Sequence, residues 1–446
     1  NVLLIVTDDM DTHLGCYGHP EIDTPSIDRL AQRGMRFDRA YCQVALCNPS
    51  RVSFLSGLSP DKTGVHTLGT PTRQFLGDAV MLPETFRKKG YFTAQSGKIF
   101  HTGEGHEDPR SWNVEYREFG KRPPMEEILR SGHPKGPIKH TSDWAQLKTP
   151  DAETPDGIVA RRAARLIEQS VAEEKSFFLG VGFRRPHAPY AAPKAYFDLY
   201  PPDSIELPPS PPAGYLDSLP HAAFNYAPPP HPLTPKEQRE LIAAYYACNS
   251  FVDAQIAVLL NTLDRLDLWK NTVIVFFGDH GYHLGDHGGI WHKNSLFEEA
   301  TRVPLIVVAP HQKAAGKSCQ RLVELIDVYP TLTSLCDLPT PEGLDGKSFA
   351  PLLSDPNLPW KQAAYSSIAR GENLGRRVEK IKFLGKSVRT ERYRYTEWDG
   401  GKEGVELYDH QHDPHEWVNL AQDPKYATTV AEMHRLLLAG QTVPPR

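Results

Sequence analysis

The chain has 446 residues, 39% of them hydrophobic and 24% charged, a balance ordinary for a globular protein and a length that can bury a broad sheet plus an appended domain. A formal net charge of -5 gives no sign of a nucleic-acid partner or an acidic tail. No uninterrupted apolar run approaches the roughly 20 residues of a membrane helix, so no membrane span is expected.

Residues 2–7 are apolar and β-branched and read as a buried strand that ends at Asp8-Asp9. A helix follows over 25–33, with Thr24 as its cap. At Cys47-Asn48-Pro49-Ser50-Arg51 the proline suits the first turn of a helix continuing through Val52, Phe54 and Leu55. A helix over 156–169, capped by Thr154, leads to a strand over 177–183 that runs into Arg184-Arg185-Pro186-His187. Residues 201–235 are too rich in proline for regular structure and read as a surface excursion walling a cleft. Thr234 caps a long helix to about 266, a strand over 272–277 ends at Gly278-Asp279-His280, and a strand over 303–309 and a helix over 326–336 follow.

From residue 364 short alternating stretches, notably 386–398 and 405–408, precede a terminal helix over 425–439. The alternation of strands and helices predicts an α/β domain over 1–363 with a large, mostly parallel central sheet flanked by helices. Residues 364–446 form a smaller α+β subdomain with an antiparallel sheet. Ligands of open α/β sheets sit beyond the carboxyl ends of the strands, so the charged endings are expected to meet in one crevice.

Two features of that crevice carry chemistry. Cys47 at a helix start would face an anion, although a free cysteine is as readily a buried structural thiol. Adjacent carboxylates at the dry end of a strand repel unless a cation neutralises them. Oxygen-rich ligands favour Ca²⁺ or Mg²⁺, with Ca²⁺ preferred. The histidines between His280 and His292 lack a compact His-x-x-x-His pair on an evident helix, so zinc is not expected. The six cysteines have no C-x-x-C spacing, and no disulfide framework is predicted.

Cys47-Asn48-Pro49-Ser50-Arg51, together with Gly90-Tyr91-Phe92-Thr93-Ala94-Gln95-Ser96-Gly97-Lys98-Ile99-Phe100-His101, resembles the two signatures of the formylglycine-dependent sulfatases. That family belongs to the alkaline phosphatase superfamily, and the resemblance implies an alkaline-phosphatase-like fold and hydrolysis of sulfate esters. It implies that a formylglycine-generating enzyme oxidises Cys47 to the aldehyde, whose hydrate attacks sulfur. Asp8, Asp9, Cys47, Asp279 and His280 are implied as the metal group. Arg51 is implied to favour the alkoxide; Lys98, Lys293 and His187 to hold the sulfuryl oxygens; His187 to protonate the leaving alcohol; and His101 to act on the second hydroxyl.

Asn48, and Ser56 before Gly57, depart from the common pattern. Gly97-Lys98-Ile99-Phe100-His101, Arg185-Pro186-His187 and Arg389-Thr390-Glu391-Arg392-Tyr393-Arg394-Tyr395 are similar to the iduronate-2-sulfatase branch. The substrate implied is a sulfated saccharide carrying a 2-O-sulfated uronic acid, whose carboxylate Arg184, Arg185 or His287 would meet. The alternatives are a phosphodiesterase or phosphonate monoester hydrolase on the same fold, and a non-catalytic protein that binds sulfated glycans. Without a glycosylation sequon, and starting at Asn1 with no basic leader, the sequence is read as a periplasmic or secreted bacterial enzyme whose signal peptide is not part of it.

Overall fold

The computed structural model describes residues 1–117, 125–132, 143–224, 233–374 and 377–440. The described residues include an eight-stranded sheet in the order 317–324, 35–41, 302–308, 273–278, 2–8, 177–186, 92–97, 114–116. Every pairing is parallel except the two made by Arg302–Val308, which runs antiparallel to both its neighbours. The strand Val2–Asp8 lies near the middle and is buried throughout. Its side chains alternate between faces as a pleated strand requires. Leu3 and Ile5 enter one core with helices Pro25–Arg33, Pro155–Ala172 and Pro235–Arg265. Val2, Leu4 and Val6 enter a second with helices Cys47–Ser56, Leu82–Lys88 and Val328–Leu335. The result is the expected sheet between two helical layers.

The capping predictions divide. Thr154 Oγ1 accepts from Gly157 N at 3.1 Å, and Thr234 forms a reciprocal capping box with Glu237. Thr24 makes no cap bond. The carboxylate of Asp253, on the long helix, accepts from Ser26 N at 3.0 Å and Ile27 N at 2.7 Å instead, so a tertiary contact satisfies donors that a local side chain was expected to serve. The long helix is itself apolar and long enough to cross a membrane by length and composition, although it contains no uninterrupted apolar run of that length. It is a core element, with 83% of its most apolar window buried inside the protein.

Four strands escaped the periodicity argument in the central sheet alone: Met35–Tyr41, Phe92–Gly97, Val114–Tyr116 and Lys317–Glu324. In Phe92–Gly97 the buried positions hold polar residues, Thr93, Gln95 and Ser96, which breaks the apolar signature; in Met35–Tyr41 and Lys317–Glu324 charged residues such as Arg36, Asp38, Arg39 and Arg321 interrupt it. The described part of the proline-rich excursion carries only short 3₁₀ turns, Pro202–Ser204, Leu216–Ser218 and His221–Ala223; residues 225–232 lie outside the described residues.

A second, four-stranded antiparallel sheet is built from Ala364–Leu374, Arg377–Arg389, Tyr393–Trp398 and Val405–Asp409 in chain order. Met433 and Leu437 of the helix Ala427–Ala439 pack on it. Buried charges join it to the segment that leads into Arg302–Val308: Arg394, which also holds Glu416 Oε1 at 2.6 Å, reaches Glu298 Oε2 at 2.5 Å, and Arg389 meets Glu298 at 3.2 Å.

Candidate active site

The strands 273–278, 2–8, 177–186 and 92–97 are consecutive neighbours running the same way. Their ends therefore deliver Asp279-His280, Asp8-Asp9, Arg184 to His187 and Lys98 to His101 to one edge of the sheet. The strand Met35–Tyr41 also runs toward that edge, and the helix Cys47–Ser56 starts there.

Local backbone choices aim these groups. Asp9 has φ 68, a left-handed conformation that aspartate tolerates better than most residues. It breaks the strand's strict alternation, so Asp9 and Asp8 both serve the same edge. At Gly182 a Cβ would lie 2.0 Å from the Lys98 carbonyl oxygen. Only glycine lets the Lys98 backbone pass so close, with Lys98 N donating to Gly182 O at 2.8 Å. Asn48, the departure from the family pattern, donates to Thr67 O at 2.9 Å and Thr70 O at 2.8 Å. It thus fastens the loop that supplies His66, Thr67 and Leu68 to the cavity wall.

Cys47 is 2% exposed and lines a cavity of about 180 Å³ with Asp9, His101, His187, Lys293, His66, His292 and Asn294. His280 Nδ1 donates to Gly281 O at 2.9 Å, leaving Nε2 with its lone pair 3.3 Å from Cys47 Sγ, 3.4 Å from Asp9 and 3.5 Å from Asp279. Donor atoms of Asp8, Cys47, Asp279 and His280 lie within 4.8 Å of one another, as do those of Asp8, Asp9, Cys47 and His187. Asp8 Oδ1 is buried and accepts no hydrogen bond among the described residues; Arg51 Nη2 stands 3.6 Å away. Three buried carboxylates, one orphaned oxygen and an imidazole held in the right tautomer fit a divalent cation.

Cations of the chain surround this group. Lys98 Nζ pairs with Asp8 and Lys293 Nζ with Asp9. Arg51, wholly buried, holds Asp279 Oδ2 at 2.8 Å and donates to the carbonyls of Lys98 and Ile99. Burial opposes ionisation of Asp8, but Lys98, with His187, Arg51 and Lys293 behind it, holds that carboxyl well below its usual range. Burial raises Asp9 despite Lys293. Burial, with Asp8 beside it, pushes the Cys47 thiol up to about 12, so the encoded side chain is a neutral thiol at working pH and a poor nucleophile. Burial, with Lys98 next, lowers His101 to about 2. Burial, with Lys293 next, holds His187 well below the ordinary histidine range. His187 Nδ1 donates to Ala188 O at 2.5 Å.

All ten sequence-predicted site positions therefore meet at one edge. His287 does not. It is buried against Phe297 with Nε2 3.0 Å from Glu299, and it is absent from the cavity lining. His66, His292 and Asn294 line the cavity and were missed; His292 and Asn294 flank Lys293, which was the available signal.

The sheet order and the two helical layers are those of an alkaline-phosphatase-like fold. Residues 1–338 match the sulfatase family model, and residues 285–442 match that of the C-terminal region of N-sulphoglucosamine sulphohydrolase. The chain belongs to the sulfatase family and is a sulfuric ester hydrolase. It is 33% identical to iduronate 2-sulfatase of Mus musculus, over 90% of this chain and 85% of that protein. It is 32% identical to a sulfatase of Formosa agariphila, over 98% and 86%. Among solved structures, phosphonate monoester hydrolase of Agrobacterium radiobacter superposes with a TM-score of 0.81 at 22% identity, covering 99% of this chain and 95% of that one. A 2-O GAG sulfatase superposes with 0.71 at 25%, covering 98% and 91%.

Proposed function

We propose that the protein removes the 2-O-sulfate of a uronic acid in a sulfated saccharide, with residue 47 acting as formylglycine beside a divalent cation, Ca²⁺ preferred. The observation that carries the site assignment is the convergence of Asp8, Asp9, Asp279, His280 and Cys47 in one buried group flanked by Lys98 and Lys293. The substrate assignment is supported by the 33% identity to iduronate 2-sulfatase over nine-tenths of the chain.

The hydrated aldehyde supplies an oxygen to attack sulfur and a second hydroxyl whose deprotonation releases sulfate, and the cation supplies charge that favours the attacking alkoxide. Asp8, Asp9, Asp279 and His280 would hold the cation. The remaining work falls to neighbouring side chains. Lys98 and Lys293, paired with Asp8 and Asp9 beside the cavity, are placed to meet the sulfuryl oxygens, so their charges stand close by as negative charge develops. Arg51 fixes Asp279 and the Lys98 backbone in one arrangement. His101, kept neutral by burial, accepts the proton of the second hydroxyl. His187, with Nδ1 tied to Ala188 O, offers Nε2 to the leaving oxygen. An anionic substrate would add negative charge favouring the protonated form of His187, against the burial and the Lys293 charge that disfavour that form in the free protein.

Release of sulfate from a panel of defined sulfated disaccharides, run beside an aryl sulfate and an aryl phosphodiester, tests the reading. Preferred cleavage of a terminal 2-O-sulfated uronate is expected. Preference for the phosphodiester would replace the proposal with the phosphonate monoester hydrolase alternative.

A further inference from the structure

We infer that the chain has a second metal site, for a transition-type divalent cation such as Zn²⁺, formed by His283, His287 and Glu299 with Asp286 alongside. It shares no residue with the cavity group and does not depend on the proposed substrate. The donor atoms of His283, His287 and Glu299 lie within 4.8 Å of one another. His287 Nε2 is 3.0 Å from Glu299 Oε2; His283 Nδ1 is 3.9 Å from the same oxygen and 3.8 Å from Asp286 Oδ2. Ligands of a tetrahedral zinc, each about 2.0 Å from the ion, stand about 3.3 Å apart, which the cluster brackets.

His283 supplies the observation that points to a ligand. Its side chain has no exposure to solvent, and its Nδ1 has no hydrogen-bond partner among the described residues. That nitrogen is nevertheless turned toward two carboxylates, at distances too long for hydrogen bonds and suited to a shared ion. A buried polar atom left this way is costly unless something fills the gap.

The supporting contacts are those a ligating histidine needs. His283 Nε2 is held by Ser295 Oγ at 2.7 Å. Tyr215 OH pairs with His287 Nδ1, which leaves Nε2, set against Glu299 at 3.0 Å, as the nitrogen that would ligate an ion in exchange for its proton. Phe297 stacks on His287 at 3.9 Å and screens it from water. The two histidines have His-x-x-x-His spacing without a regular helix: His287 has φ 52 inside a broken turn, and that turn brings its ring back toward His283. An ion here would pin the segment carrying His292, Lys293 and Asn294 and, through Tyr215, the proline-rich excursion.

The test uses untagged full-length Cys47→Ala protein, stripped by a chelator and kept in excess Ca²⁺ so that the Asp8 and Asp9 group is filled. It is titrated with Co²⁺, read by visible absorption and by elemental analysis after desalting. One retained equivalent, displaced by Zn²⁺, is expected. His283→Ala and Glu299→Gln should each weaken it by more than about 100-fold, beyond the loss of a supporting hydrogen bond, while Asp279→Asn leaves it in place. Glu299→Gln preserves size and can still bond His287, so it decides the matter if His283→Ala does not fold. No retained equivalent in the parent, or retention in Glu299→Gln with loss in Asp279→Asn, overturns the assignment.

Discussion

Arg51 Nε donates to Asp279 Oδ2 at 2.8 Å, and neither side chain has any exposure to solvent. The same guanidinium bonds the carbonyls of Lys98 and Ile99, so one residue ties three of the segments that meet at the site. Arg51→Ala leaves the neighbouring carboxylates with one buried cation fewer and is expected to cost about 3–5 kcal/mol of stability. Arg51→Lys keeps the charge but not the planar fork and should recover only part of it. Thermal melts of both variants check this; an unchanged melting temperature in Arg51→Ala contradicts the splice.

Cys47→Ala and Cys47→Ser should both lose multiple turnover while keeping the wild-type circular dichroism spectrum, because alanine has no group to oxidise and serine lacks the thiol on which the proposed maturation acts. Intact-mass measurement on active protein should find residue 47 lighter than cysteine. Full steady-state turnover by Cys47→Ala would falsify the proposed nucleophile.

Lys98→Ala and Lys293→Ala remove the charge proposed to meet the sulfuryl oxygens. Each should lower kcat by about 10²–10³, the scale of losing one preorganised oxyanion contact. Initial-rate measurements over a substrate range decide this, since a change confined to KM would assign these lysines to binding alone.

Chelation should abolish activity, and Ca²⁺ or Mg²⁺ should restore it. A bound ion would stabilise the folded state that gathers Asp8, Asp9 and Asp279, by about 2.7 kcal/mol at a hundredfold excess over Kd. Differential scanning fluorimetry with and without added Ca²⁺ should show the melting temperature rising with the ion. A melting temperature indifferent to Ca²⁺ removes the support for a cation at this edge.

Burial opposes the charge on Glu298, yet Arg389 and Arg394 hold it well below its ordinary value of 4.5. Glu416, against Arg394 and His410, is also lowered. Depressed carboxyls contribute stability that is fully present above the unfolded value and lost as pH falls through the folded one. Urea midpoints should therefore hold above about pH 5 and fall progressively below pH 4.5. Glu298→Gln should be less stable at neutral pH and should flatten that acid slope.

Much of the site was legible because its residues are consecutive with strand ends. Asp8-Asp9 and Asp279-His280 each follow an apolar run that only a buried strand explains, and the motif at 47–51 carries its own helix start. Strands such as Phe92–Gly97 were illegible as strands because Thr93, Gln95 and Ser96 occupy its buried positions, although the motif around Lys98 and His101 was plain. His66 could not be found from sequence at all: it enters the cavity wall through the loop that Asn48 fastens. Asp253 capping a helix more than 200 residues earlier in the chain is equally invisible to any local rule.

The reversed direction of Arg302–Val308 has an economy of its own. Between parallel strands the chain must return the length of the sheet, usually through a helix on its face. Here it leaves one strand at Gly278 and re-enters the next at Arg302 on the same edge. The whole segment 279–301 is released from any duty of crossing the sheet. It works as a cassette that bears His280, Lys293 and the His283 and His287 pair, and a change in its length or sequence can recut the pocket while both helical layers stay where they are.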